Sequence, residues 1–168
     1  MTDYTRRQLT LFVQKKDAKN IEDVRSKFNP RQSELIDSHV TLCREDEIAG
    51  IDKVLHNLTQ LKQKTVCIKF GQVTRFDNGK GVLIPATIEN EEFQELRQKV
   101  LMGVLDKPRR QEPHITLMHP RNSNCTDKIF EIIENVNLPT QLNFKTISLI
   151  EQINGGQWTV LKTFDLIE

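Results

Sequence analysis

The sequence predicts an α+β protein of two duplicated lobes, each a small, mostly antiparallel sheet with outer helices, set around a central cleft. Three observations predict it. Strand-like stretches alternate with helix-like ones along all 168 residues. Two hairpin signals, DNGKG at 77–81 and NGG at 154–156, demand antiparallel neighbours, because Asn and Gly tolerate the positive φ of tight turns. The tetrapeptide His-x-Thr-Leu is written twice, as HVTL from His39 and HITL from His114.

Each element follows from local pattern. QLTLFVQ (8–14) is short, apolar and partly alternating, as a strand requires. A helix-compatible stretch runs through 21–28 and is interrupted by Pro30; SHVTLC is the next strand. Residues 45–62 place Ile48, Ile51, Val54, Leu55, Leu58 and Leu61 at helical spacing, with acids in the first turn. VCIKFGQVTRF reads as one strand, the 77–81 turn follows, and GVLIPAT returns. Residues 90–105 read as an amphipathic helix with Asn90 as its N-cap. DKPRRQEP is a polar loop leading to the strand PHITLM. A helix is expected over 126–136, beginning near Thr126 or Asp127, then one strand LNFKTISLIEQI, the NGG turn and a last strand QWTVLKTFDL.

The order of elements repeats. His39 and His114 stand 75 residues apart, and the same step carries Leu9 to Ile84, Ile84 to Thr159 and Gly79 to Asn154. The expected organisation is a single domain over 1–168, with pseudo-repeats at about 8–81 and 83–156 and a closing strand at 157–166. No low-complexity linker separates the copies, so they should pack together.

Composition narrows the function classes. Hydrophobic residues make up 37% and charged residues 28%, as in an ordinary globular protein. Net charge is +1, from 24 basic and 23 acidic residues, so overall charge does not point to non-specific polyanion binding. No apolar run approaches the ~20 residues that span a bilayer, and MTDYTRRQLT has no apolar signal region. Cys43, Cys67 and Cys125 are scattered, without a CxxC pair, which argues against a disulfide framework or a structural zinc site. A cytoplasmic monomer without a membrane partner is expected.

The motif itself carries chemistry. On a strand, side chains at i and i+2 share a face. His39 therefore sides with Thr41, and His114 with Thr116, while Val40, Leu42, Ile115 and Leu117 point to the opposite, apolar face. Hydrolysis of a phosphodiester needs a base for water and an acid for the leaving oxygen, and histidine serves either role near neutral pH. Threonine hydroxyls can hold the non-bridging oxygens. No carboxylate–histidine cluster at ligand spacing suggests a metal, and no cofactor is implied.

HVTLCR and HITLMH resemble the paired motifs of the two-histidine phosphoesterase superfamily, most nearly its 2'-5' RNA ligase family and bacterial cyclic phosphodiesterases. The resemblance covers nearly the whole chain. It implies a bilobal fold and metal-independent chemistry on 2',3'-cyclic or 2'-5' phosphodiester bonds of nucleotides or short RNA ends, ligation being the reverse reaction. It makes His39 and His114 the catalytic pair and Thr41 and Thr116 phosphate ligands. The family motif often continues to an arginine; Arg44 fits as a further phosphate ligand, whereas His119 stands at that place in the second copy as a possible substrate contact. An odd offset from His114 would turn His119 away from the cleft if its strand stayed regular.

Two rival readings belong to other classes: a module that binds RNA or nucleotide phosphates without turnover, and a metal-dependent hydrolase using His39, His114 and His119. Among the remaining candidates, His56 reads as a helix-surface residue and Trp158 as core. Lys107, Arg109 and Arg110 either rim the cleft or form a solvated loop.

Overall fold

The computed structural model describes residues 2–168. It is a mixed α+β structure whose strands are mostly antiparallel. The elements in chain order are β1 (Thr5–Phe12), α1 (Lys19–Phe28), α2 (Pro30–Leu35), β2 (His39–Cys43), α3 (Ile51–Gln60), β3 (Val66–Lys69), β4 (Thr74–Phe76) and β5 (Gly81–Pro85). They continue with α4 (Glu91–Val100), β6 (His114–Met118), α5 (Asp127–Glu134), β7 (Gln141–Phe144), β8 (Thr146–Ile153) and β9 (Thr159–Asp165). Seven strands form one sheet in the order β4-β5-β6-β2-β1-β8-β9, and β3 pairs with β7 in a separate ribbon.

Two halves of the large sheet meet where β2 and β6 pair, antiparallel, through Val40 and Ile115. β1 runs beside β2 with Phe12 opposite His39 and Thr10 opposite Thr41. β5 runs beside β6 with Pro85 opposite His114 and Leu83 opposite Thr116. Each pairing carries a register shift two residues beyond its threonine. Leu11 and Ile84 are thus the matching positions, opposite Val40 and Ile115, so the structural step along this strand is two residues shorter than the spacing of the histidines. The halves are also interlocked. β4 joins β5, β8 joins β1, α1 packs on β6 and α4 packs on β2.

Several elements depart from sequence expectation, each for a local reason. VCIKFGQVTRF is two strands in two sheets, parted at Gly71, whose amide donates to Pro85 O. LNFKTISLIEQI likewise divides at Lys145 into β7 and β8. Alternation survives a change of sheet, so periodicity alone does not reveal it. The acidic start of the 45–62 segment is a 3-10 turn, Glu45–Ile48, separated from α3 by Gly50. α4 stops at Val100, well before residue 105, and Gly103 takes φ +77° in the turn that follows. Asn90 precedes α4, but its side chain does not cap the helix; its Oδ1 accepts from Gln94 Nε2 at 2.7 Å. Thr126 does cap α5, accepting from the Ile129 amide. Both hairpin turns form, with positive φ at Asp77, Asn78, Gly79, Asn154 and Gly155.

Leu9, Leu11, Val40, Leu42, Ile84, Ile115 and Leu117 are buried on the sheet face that meets the helices. One ion pair lies inside this packing. Arg97 of α4, 1% exposed, donates to Glu47 Oε2 at 2.7 Å, to Leu42 O at 2.6 Å and to Arg109 O at 3.0 Å. Burial pushes the Glu47 carboxyl up, but hydrogen bonds from Arg97 and the Arg44 amide and the charges of Arg97 and Arg109 outweigh it and hold the group below its ordinary value. The three cysteines are free thiols. No helix of the described residues is long and apolar enough to cross a membrane.

Removing one partner strands a buried charge, which costs about 3–5 kcal/mol. Glu47→Ala should therefore lower the unfolding free energy by that order in urea titrations, whereas exposed Lys19→Ala, which loses only a surface pair with Asp23, should change it by less than about 1 kcal/mol.

Candidate active site

The pairing of Val40 with Ile115 sets the site geometry. Extending that antiparallel register one residue each way puts His39 opposite Thr116 and Thr41 opposite His114. Side chains alternate along a strand, so all four project from the face opposite the buried Val40 and Ile115. Directly opposed residues have Cβ atoms about 5 Å apart and diagonal neighbours roughly 7–8 Å. The histidines occupy one diagonal and the threonines the other. All four line one cavity of about 180 Å³.

The histidine rings are held alike. His39 Nδ1 lies 2.8 Å from Asp37 O, and His114 Nδ1 lies 3.1 Å from Glu112 O, in each case the carbonyl two residues earlier. A carbonyl only accepts, so Nδ1 carries the proton and Nε2 is the nitrogen left for chemistry. Their surroundings differ. Burial, opposed only by the Asp37 carbonyl and reinforced by the charges of Arg25 and His114, lowers His39 to about 4. The neutral ring, with a free Nε2 lone pair, is its form at pH 7.

Other cavity residues escape motif reading. Arg6 and Gln8 come from β1, where polar residues alternate with the buried Leu9 and Leu11; that alternation was the available signal. Gln152 of β8 accepts from Arg6 Nη1 at 3.1 Å, and Arg6 also meets Glu45 at 3.2 Å. Arg25, 2% exposed, is tied to Glu22 Oε1 at 2.7 Å and to Ile36 O at 2.7 Å. Arg121 is an exposed wall residue. Nothing in the local sequence marks Arg25 or Arg121.

The structure places the remaining candidates, and one expectation, that Trp158 is core, is corrected. His119 does reach the cavity, because β6 ends at Met118 and the chain leaves the strand there. Asn29 Oδ1 accepts the His119 amide at 2.8 Å and holds the turn. Trp158 is not core: it lines the cavity half-buried, with the Arg6 guanidinium 5.3 Å from its ring centroid. Arg110 belongs to neither cleft wall, being paired with Glu91 and Glu112. Arg44 is exposed and lines an adjoining cavity of about 760 Å³ that also touches Thr41 and His114. His56 lies on α3 outside both cavities. Among the described residues, no group of three or more His, Cys, Asp or Glu could hold a metal ion.

The lowered proton affinity of His39 has a consequence for stability. An unfolded histidine binds its proton near pH ~6.5 and the folded one only near 4, so the unfolded state holds more protons between these values. Stability rises with pH through that window and is lost as pH falls through it. His39→Gln should remove this contribution: its destabilisation relative to wild type should be smaller at pH 5 than at pH 7, by on the order of 1–2 kcal/mol in urea unfolding.

Comparison with known proteins shows the family and the fold. The family model of the 2'-5' RNA ligase superfamily matches residues 13–156. A provisionally named phosphoesterase of Bacillus licheniformis is 27% identical over 165 residues, spanning 94% of this chain and 96% of its own. Escherichia coli LigT in complex with phosphate superposes with a TM-score of 0.66 at 14% identity, covering 99% of this chain and all of LigT. LigT in complex with 3'-AMP gives 0.67 at 13% identity, over 98% and 99% of the two chains. With both motifs inside the matched span and their side chains gathered in one cleft, the chain belongs to the 2'-5' RNA ligase superfamily.

Proposed function

We propose that this protein is a metal-independent phosphodiesterase acting on 2',3'-cyclic phosphate or 2'-5' phosphodiester bonds of nucleotides or short RNA ends. The observation that carries the reading is the diagonal pair of histidines, each with Nδ1 tied to a backbone carbonyl and Nε2 left free, flanked by Thr41 and Thr116 in one cavity. LigT, which shares the fold, has been crystallised with 3'-AMP, ATP and NADP+, a ligand range that suits a nucleotide substrate here.

In this reading the work is divided among the four motif residues. Thr41 and Thr116 donate to the non-bridging oxygens and fix the phosphorus between the two rings. His39, neutral in the free protein, takes a proton from water through Nε2 as the water attacks phosphorus. His114, on the other strand, donates through Nε2 to the departing ribose oxygen. The P–O bond to that oxygen breaks, and the product is a phosphomonoester and a free hydroxyl. With a ribose 5'-hydroxyl in place of water the same steps run in the same direction: its oxygen bonds to the cyclic phosphorus, the P–O3' bond breaks, and the product is a 2'-5' diester with a free 3'-hydroxyl, which is ligation.

The test is turnover of 2',3'-cyclic nucleotides and a cyclic-phosphate RNA end in EDTA. Wild type should be active, and His39→Ala and His114→Ala should each lose at least ~100-fold in kcat. A substrate with sulfur at the departing position needs little protonation, so it should recover activity in His114→Ala and not in His39→Ala. Recovery in the opposite variant would reverse the roles. Binding without turnover would leave a phosphate-binding module, and loss of activity in EDTA would sink metal independence.

A further inference from the structure

The cleft is nearly two-fold in its catalytic groups and not in what surrounds them. The smaller cavity, about 180 Å³, is bordered by Arg6, Arg25, Arg121, His119 and Trp158, and no acidic side chain lines it. The larger, about 760 Å³, shares Arg6, Gln8, Thr41 and His114 with it and is bordered by Glu45, Asp46 and Arg44. Pockets for nucleotide-sized ligands run roughly 300–1,000 Å³. The larger cavity is therefore of a size for the nucleoside, and the smaller one suits phosphate groups.

Within the smaller cavity the arginines are not equivalent. Arg6 is matched with Glu45, and Arg25 with Glu22. Arg121 has a histidine as its neighbour instead. The His119 Nδ1 accepts the Arg121 amide at 3.1 Å, and the Arg121 guanidinium reaches within 3.3 Å of Nε2. Ser123 donates to His119 O at 2.8 Å, and Asn29, 1% exposed, accepts the His119 amide and donates to Asn122 Oδ1 at 2.9 Å. The turn that carries Arg121 is thus pinned from the end of α1, yet its cation faces a cavity lined by basic and neutral side chains, and among the described residues no carboxylate forms an ion pair with it. An unpaired guanidinium on the wall of a basic cavity can bind an anion by charge-assisted hydrogen bonds.

We infer that Arg121, held by His119, forms a second anion subsite beside the reacting phosphorus, so that the preferred substrate is a diester bearing an additional phosphate group. This rests on the phosphodiesterase reading above. It makes Arg121 a specificity determinant rather than a participant in bond breaking.

The test compares adenosine 2',3'-cyclic phosphate with its 5'-phosphorylated counterpart. Wild type should prefer the 5'-phosphorylated substrate by about 10-fold or more in kcat/KM, mostly through KM, as loss of one charge-assisted contact implies. Arg121→Ala should bring the ratio of the two substrates close to one, and Arg121→Lys should restore part of it. The inference is overturned if wild type shows no preference, or if Arg121→Ala lowers both substrates equally, which would assign Arg121 to the reacting phosphate. If wild type turns over neither, the phosphodiesterase reading fails, and calorimetric affinities for adenosine 2'-phosphate and adenosine 2',5'-bisphosphate decide. A preference for the bisphosphate that disappears in Arg121→Ala keeps the subsite, and equal affinities remove it.

Discussion

The contact on which the rest depends is the pairing of Val40 with Ile115 at the seam of the large sheet. It is a small contact with a large geometric consequence. An antiparallel register leaves no freedom about which residues face each other, and a shift of one residue would turn every side chain to the other face. With both apolar residues buried against helices, that slip would expose Val40 and Ile115 and bury two histidines. Core packing thus selects the register, and the register gathers the polar side chains into one cleft.

The surroundings reinforce this seam from both directions. Arg97 reaches from α4 to the carbonyls of Leu42 and Arg109 and to the Glu47 carboxylate, linking β2 to the loop that enters β6. Asn29 reaches from the end of α1 to the turn that leaves β6. Each helix therefore braces the motif strand of the opposite half. Relative motion of the halves would break buried polar contacts as well as apolar packing, which keeps the distance between the histidines narrow.

The approximate two-fold symmetry ends where specificity begins. On the β1 side the cleft floor is polar, with Arg6 and Gln8 on β1 and Gln152 on β8. On the β5 side the residues opposite the motif are Leu83 and Pro85. Burial, with the charge of Arg25 adding to it, lowers the proton affinity of His39, and Arg121 stands beside His119, five residues past His114. Two motifs of the same composition therefore sit in different surroundings.

Much of this was legible in the residues alone. Strand periodicity put His39 with Thr41 and His114 with Thr116, and put their aliphatic neighbours on the other face. Asn and Gly at 78–79 and 154–155 marked hairpins because few other residues adopt positive φ without cost. Such features are local, set by two or three neighbours along the chain. What only the tertiary structure decided is non-local: that β3 and β7 leave the large sheet, that His119 turns into the cleft because its strand has ended, and that Trp158 is a wall and not core. The same holds for Arg25 and Arg121, whose positions depend on elements distant in sequence. A side chain's field depends on what packs against it from elsewhere in the chain, and no local pattern in the sequence encodes that.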